Sequence, residues 1–589
     1  MTTTDSRQPS ERVLQYADRL DGRFALWAGP LAARVDDGLA RLTRDKVIAG
    51  LYAKQPSLWS SDPAVQAKIA NRLGWLTSPD WVIPSLPRVQ AFAEGVRASG
   101  IAHVVLLGMG GSSLAPEVLR AVLGVREGWP AFHMLDSTDP GAVASVDAAI
   151  DVPRTVFLLA SKSGGTIEPN SMAAHFRARL ESSGVARWAG HFVAITDEGT
   201  ALHRRAAEDG FRDVFVNPSD IGGRYSALSF FGLVPAALMG HDPAALVDWA
   251  RAMLWLCGPD RPLATNSAAL LGLAMAEAAL AGRDKLTLVA PPRLEPVGLW
   301  IDQLVAESTG KDGRGVIPVA GESLGSAADY GDDRLLVHLS PDGPPGEAAR
   351  NSLRDLAAAG MPFAQAELPE PAAIAAEFVR WELATAVAGV VLGVNPFDEP
   401  NVQQAKDATQ RLLHAHRASG ALPRSGSPCA VGGRDAWLSG RAVSALGSPD
   451  GGRLLSLLEP GDYFAILAYL PPDAGLLAPL DWLREQVRTH TRCATTFGYG
   501  PRYLHSTGQL HKGGPATGVF LVISADPEND VPVPGESYSF GVLEQAQASG
   551  DFASLDAADR RALHVHLPRP DADLLRGVCE ALAARLGQA

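Results

Sequence analysis

Two short polar stretches carry the residue types that bind an oxyanion. The first is Gly108-Met109-Gly110-Gly111-Ser112-Ser113, entered from the apolar run His103–Leu107 and left through a helix start at Pro116. The second is Ser161-Lys162-Ser163-Gly164-Gly165-Thr166, entered from Thr155–Ala160 and followed by Glu168, Pro169 and a helical pattern. A strand that ends in glycines at a helix N-terminus gathers unpaired backbone N–H groups into a concavity suited to an anion. Hydroxyls add donors there without adding charge. Neither stretch has the GxxxxGK[ST] spacing of a nucleoside-triphosphate loop or the GxGxxG spacing of a dinucleotide site. A phosphomonoester therefore fits better than a nucleotide, although the first stretch alone also reads as a tight turn without a ligand.

Acid–base candidates are more scattered. Arg224 follows Gly222-Gly223 in a loop, where a guanidinium could stabilise developing oxygen charge, bind a phosphate or face solvent. Glu307 precedes Ser308-Thr309-Gly310-Lys311 at a helix end, a position that suits a base or a surface ion pair. Lys406 lies in a polar helix after Asn395-Pro396-Phe397-Asp398-Glu399. His505 sits among glycines and hydroxyls, which favours proton exchange over core packing, with His511 as its rival. The pairs His414/His416 and His564/His566 lack an acidic or cysteine complement, so no metal and no cofactor are expected.

These residues need a scaffold, and strand–loop–helix alternation supplies it. The two apolar runs read as neighbouring parallel strands whose loops meet at the carboxyl edge of one sheet. The expected class is α/β, three-layer, with parallel-rich sheets flanked by helices. With 589 residues the chain exceeds one core. The expected divisions are an N-terminal helical region (1–88), a first α/β domain (89–250), a second (251–419), a linker or irregular excursion (420–450), and a C-terminal α/β extension (451–589). In the first region Tyr16, Leu20, Phe24, Trp27 and Leu31 recur at helical spacing, and Trp59, Trp75 and Trp81 read as packing anchors.

A net charge of −13 without a basic arm argues against a nucleic-acid role. The N-terminus lacks a signal-peptide pattern, and the apolar run from Leu383 to Val394 is too short for a bilayer and reads as a buried helix. Four dispersed cysteines suit a reducing cytoplasm.

The motifs GMGGSSLAP (108–116), SKSGGTIE (161–168) and GGRYSALS (222–229) resemble three motifs of the glucose-6-phosphate isomerases, in the same order. AESTGK (306–311) and GVNPFDEPNVQQAK (393–406) resemble two more. The C-terminal YLHSTGQLHKGG and YSFGVLEQAQASGD look most like the isomerase half of fused transaldolase/glucose-6-phosphate isomerase proteins. The resemblance implies phosphosugar-isomerase (SIS-type) domains and reversible interconversion of D-glucose 6-phosphate and D-fructose 6-phosphate through a cis-enediol, in a possible homodimer. It implies a phosphate held by Gly111, Ser112, Ser161, Ser163 and Thr166, with Gln303 facing the same pocket. Glu307 would be the base, Arg224 would stabilise the enediolate, and Lys406 with His505 would assist ring opening. The chain departs from the shorter bacterial isomerases in one respect: its LHSTGQ lies beyond Lys406 instead of between the glutamate and lysine motifs. The C-terminal block would then have to fold back to complete the site. Isomerisation of another phosphosugar such as mannose 6-phosphate, or non-catalytic phosphosugar binding by a regulator, are the alternatives.

Overall fold

Apolar runs of five to eight residues, flanked by Gly, Ser and Pro, become strands buried on both faces. The computed structural model describes residues 9–341 and 347–586, apart from the side chains of 347–349 and 402–406. Among the described residues the strands are β1 (Phe24–Trp27), β2 (His103–Leu107), β3 (Ala131–Leu135), β4 (Thr155–Ala160), β5 (Phe192–Asp197) and β6 (Asp213–Asn217). They continue with β7 (Lys285–Val289), β8 (Ile317–Val319), β9 (Arg334–Pro341) and β10 (Phe363–Leu368). The last group is β11 (Ser427–Val431), β12 (Arg434–Leu438), β13 (Tyr463–Tyr469), β14 (Ala494–Tyr499), β15 (Gly518–Ala525) and β16 (Arg561–Leu567).

The strands form three sheets. The first, in the order β3-β2-β4-β5-β6, is wholly parallel. From β2 the chain crosses to β3 on one side, and from β4 it crosses to β5 on the other. The crevice of a doubly wound sheet therefore opens at the carboxyl ends of β2 and β4, where the two hydroxyl loops begin. The second sheet, β1-β10-β9-β7-β8, is parallel except for β1. The third, β11-β12-β16-β15-β13-β14, has a parallel core of β13 to β16 and an antiparallel edge. Helices cover the sheets, giving the expected α/β layering.

Two local expectations are corrected. Helix Glu11–Leu20 stops before Gly22, whose φ of +72° breaks the run, and Phe24–Trp27 is a strand paired with β10. Residues 420–450 are not a linker. Val431-Gly432-Gly433-Arg434 makes a tight hairpin with both glycines at positive φ, and β12 pairs with β16 to extend the third sheet.

Helix Ile374–Leu392 contains most of the long apolar run and is almost entirely buried. It packs against helix Ser267–Leu280 so closely that a Cβ on Gly272 would lie 2.2 Å from the Ala384 carbonyl oxygen. Among the described residues no helix is long and apolar enough to cross a membrane.

Candidate active site

The two hydroxyl loops form one wall of a cavity of about 520 Å³, lined there by Gly111, Ser112, Ser163 and Thr166. Ser161 stands behind this wall: its Oγ lies 3.0 Å from Thr166 Oγ1 and accepts the Gly164 N–H at 3.1 Å. It holds the loop in shape. Gly164 is required by the same turn, with φ of +69° and a virtual Cβ only 2.8 Å from the Leu202 nitrogen. Helix Ile167–Ser182 starts from Thr166 without a side-chain cap, so its first-turn N–H groups stay available to an anion. Arg72 and Lys162 add positive charge to the lining, Lys162 pairing with Asp197.

The glycines of the first loop admit other chain segments. A Cβ on Gly111 would lie 2.0 Å from the Gly223 oxygen, and one on Gly110 would lie 2.8 Å from the His505 carbonyl oxygen. The arginine loop and the histidine turn thus close on the phosphate wall because no side chain keeps them away.

Opposite stands helix Glu295–Thr309, which presents Gln303 and Glu307, one turn apart, to the cavity. Glu307 is 8 % exposed, and burial pushes its carboxyl up to about 7, with Arg224 opposing and Glu399 reinforcing the shift. The Arg224 guanidinium is 3.5 Å from Glu307 and 3.1 Å from Glu399 through Nη1. Its Nε donates to Ser308 Oγ at 2.8 Å, and its Nη2 donates to the Pro396 and Asp398 carbonyls at 2.7 and 3.0 Å. Lys311 tethers that carbonyl loop through Asp398 Oδ1 at 2.6 Å, and burial lowers its own pKa to about 8. Arg224 is therefore rigid on its Nε and Nη2 sides. Only Nη1, shared with the partly exposed Glu399, is free to take a substrate oxygen.

The third wall comes from the C-terminal sheet. His505, on the turn after β14, lines the cavity. Gln303 Nε2 donates to its backbone carbonyl at 2.6 Å. Its Nε2 is 3.0 Å from Glu168 Oε1, and the same oxygen accepts Gln547 Nε2 at 2.7 Å. Gln547 Oε1 in turn accepts the Thr138 hydroxyl at 2.8 Å. A phosphate cradle, a buried carboxylate beside a guanidinium, and a carboxylate-paired histidine share one cavity, which is the equipment of aldose–ketose proton transfer.

Residues 87–315 match the model of the phosphoglucose isomerase family. Glucose-6-phosphate isomerase of Citrifermentans bemidjiense is 29% identical over 449 residues, covering 68% of this chain and 81% of the relative. That of Thermus thermophilus is 29% identical over 397 residues, covering 59% of this chain and 92% of the relative. The crystal structure of a hypothetical protein, TT0462, also from Thermus thermophilus, superposes with a TM-score of 0.56 at 26% identity, covering 67% of this chain and 100% of that one. Over residues 87–315 the chain is thus similar to the phosphoglucose isomerase family, and the relatives it resembles are glucose-6-phosphate isomerases.

The residues that the family resemblance singled out converge in large part. Gly111, Ser112, Ser163, Thr166, Arg224, Gln303, Glu307 and His505 all line the one cavity, whereas Ser161 braces its wall. Lys406 belongs to helix Val402–Ser419, and its side chain lies outside the described residues. His511 is fully buried among Tyr463, Tyr503 and Phe520, where desolvation drives its pKa well down, so it is a packing residue. His564 bonds to Ser524 inside the third sheet at 2.8 Å. Among the described residues no three His, Cys, Asp or Glu side chains converge as metal ligands would. Sequence reasoning missed Glu168 and Glu399, although both stand inside quoted motifs. Gln547 was missed inside the motif YSFGVLEQAQASGD, and Asn71 and Arg72 carry no local signal.

Proposed function

We propose that this chain interconverts D-glucose 6-phosphate and D-fructose 6-phosphate through a cis-enediol, with the observed residues in the following roles. The observation that carries the reading is Glu307, buried beside Arg224 in the cavity that also holds the hydroxyl cradle and His505. Ser112, Ser163 and Thr166, with the adjoining backbone N–H groups, bind the phosphate and fix the remote end of the sugar. That binding aligns the reacting carbons. His505, paired with Glu168, moves the proton between the ring oxygen and the C1 hydroxyl oxygen as the ring opens, and Lys406 assists. Glu307 takes the proton from C2 of the aldose and returns it to C1. One proton shifts between adjacent carbons and another between the O1 and O2 oxygens, so no net oxidation occurs and no redox cofactor is required. Arg224 Nη1 leaves Glu399 for the enediolate oxygen as charge develops.

The reading includes a cytoplasmic location, supported by four unpaired cysteines. It also includes a possible homodimer. A coupled assay of fructose 6-phosphate turnover, comparing wild type with folded Glu307→Gln, tests the core of the proposal. Wild-type turnover that E307Q abolishes supports it, full activity in E307Q removes Glu307 as the base, and turnover of mannose 6-phosphate alone changes the substrate.

A further inference from the structure

Glu168 is 3 % exposed, and its Oε1 receives both the His505 ring and the Gln547 amide. Gln547 is itself 2 % exposed and lies on helix Phe540–Ala557 of the C-terminal unit, outside the cavity lining. Its amide has one orientation that satisfies both neighbours at once. The Thr138 hydroxyl donates to Oε1, which turns the NH2 group onto the carboxylate. Turned the other way, the amide oxygen would face a carboxylate oxygen at 2.7 Å, and Glu168 would need a proton to tolerate it. Gln547 therefore selects an ionised Glu168. An ionised Glu168 only accepts, so it demands the proton on His505 Nε2 and leaves Nδ1 as the nitrogen with the lone pair.

We propose that Gln547, backed by Thr138, is a positioning residue that sets the tautomer of His505 through Glu168. The C-terminal unit then supplies both the histidine and the group that decides which ring nitrogen exchanges the proton. The placement supports this, since Thr138 follows β3 in the first sheet and Glu168 follows β4. Gln547 reaches both across the interface between the first and third sheets. Among the described residues, the titratable groups around Glu168 include His505, Tyr469 of β13 and Tyr538 ahead of Gln547's helix. Beyond Tyr469 lie the buried carboxyls of Asp551 and Glu544, and Glu307 faces His505 from the cavity side.

Loss of the amide donor from a buried carboxylate favours its neutral form, which donates to Nε2 and reverses the tautomer. The kinetic arm rests on the isomerase reading. Gln547→Leu should lower kcat roughly 10–100-fold with KM nearly unchanged, and should move the acid limb of the kcat profile to higher pH. Gln547→Glu should do the opposite. Its protonated carboxyl can donate as the amide does, so activity relative to wild type is recovered at low pH and lost as pH rises. Thr138→Val, which keeps Gln547 in place, should show a weaker shift in the Leu direction.

A second arm does not depend on turnover. Nitrogen-15 spectra of histidine-labelled protein, with the His505 signals located by comparison with His505→Gln, should show Nε2–H in wild type and Nδ1–H in Q547L. A tautomer change without wild-type turnover would uphold the positioning role and sink the isomerase reading. An unchanged tautomer in folded Q547L or T138V, with any activity loss equal at all pH values, would overturn the proposal.

Discussion

The base end and the histidine end of the cavity are built in contrasting ways. Gln303 and Glu307 stand one turn apart on one helix, and Arg224 is gripped by Ser308 of that helix and by the loop that Lys311 tethers. That half of the site is largely local, with short motifs and rigid supports. His505 instead has its carbonyl held by the second unit and its ring by the first. Gln547, from the histidine's own unit, closes the arrangement. Its support is spread over contacts that exist only once all three sheets have docked. A local device tolerates disturbance elsewhere, whereas a distributed one reports on the docking itself.

Two adjacent glycines allow that contrast to be tested, Gly111 against the arginine loop and Gly110 against the His505 turn and the Gln303 amide. The largest effect expected is at the base: Glu307→Gln should cost ~10³-fold or more in kcat, since an amide cannot carry the proton from C2 to C1. Next, Gly111→Ala would drive a methyl into the Gly223 carbonyl and displace Arg224. Gly110→Ala would push away the His505 turn at a φ of +54°. Each should lower kcat on the order of 10²-fold. Only G110A should slow ring opening, read as the anomerisation rate of glucose 6-phosphate by NMR. Gly190→Ala, just ahead of β5 and outside the cavity lining, with nothing within 4 Å of the added carbon, should be near wild type and serves as the control.

A smaller effect sharpens the base end. Glu307 must be ionised to act, so kcat/KM should rise with pH through about 7, the value to which burial pushes it. The Glu399 charge contributes to that rise. Removing it in Glu399→Gln favours the ionised carboxylate, and the acid limb should move to lower pH. A limb unmoved by E399Q would mean that Glu307 is not the group titrating.

What the sequence made legible follows the same division. The hydroxyl loops and the strands that feed them were readable because glycine, hydroxyl and apolar patterns act over a few residues, whereas Glu307 was singled out only by the family resemblance of AESTGK. Phe24 and Trp27 misled because a short edge strand continued a helical spacing across Gly22. The hairpin at Val431–Arg434 carried its glycine turn openly, but its strands are short and half exposed, so no long apolar run announced them. Gln547 lies inside YSFGVLEQAQASGD, but its role was out of reach for another reason. Its partners lie 379 and 409 residues away, and a buried glutamine on an apolar helix looks the same whether it positions a catalytic group or fills space.

The strand order of the third sheet has a consequence for when the molecule becomes competent. β16, the last strand of the chain, lies inside that sheet, between β12 and β15. During synthesis the hairpin of β11 and β12 waits for its neighbour in the sheet until β16 has left the ribosome. The first two units can by then have folded, cradle and base included. Competence thus waits for β16, and a product stopped before residue 561 would carry His505 without the strand that closes its unit.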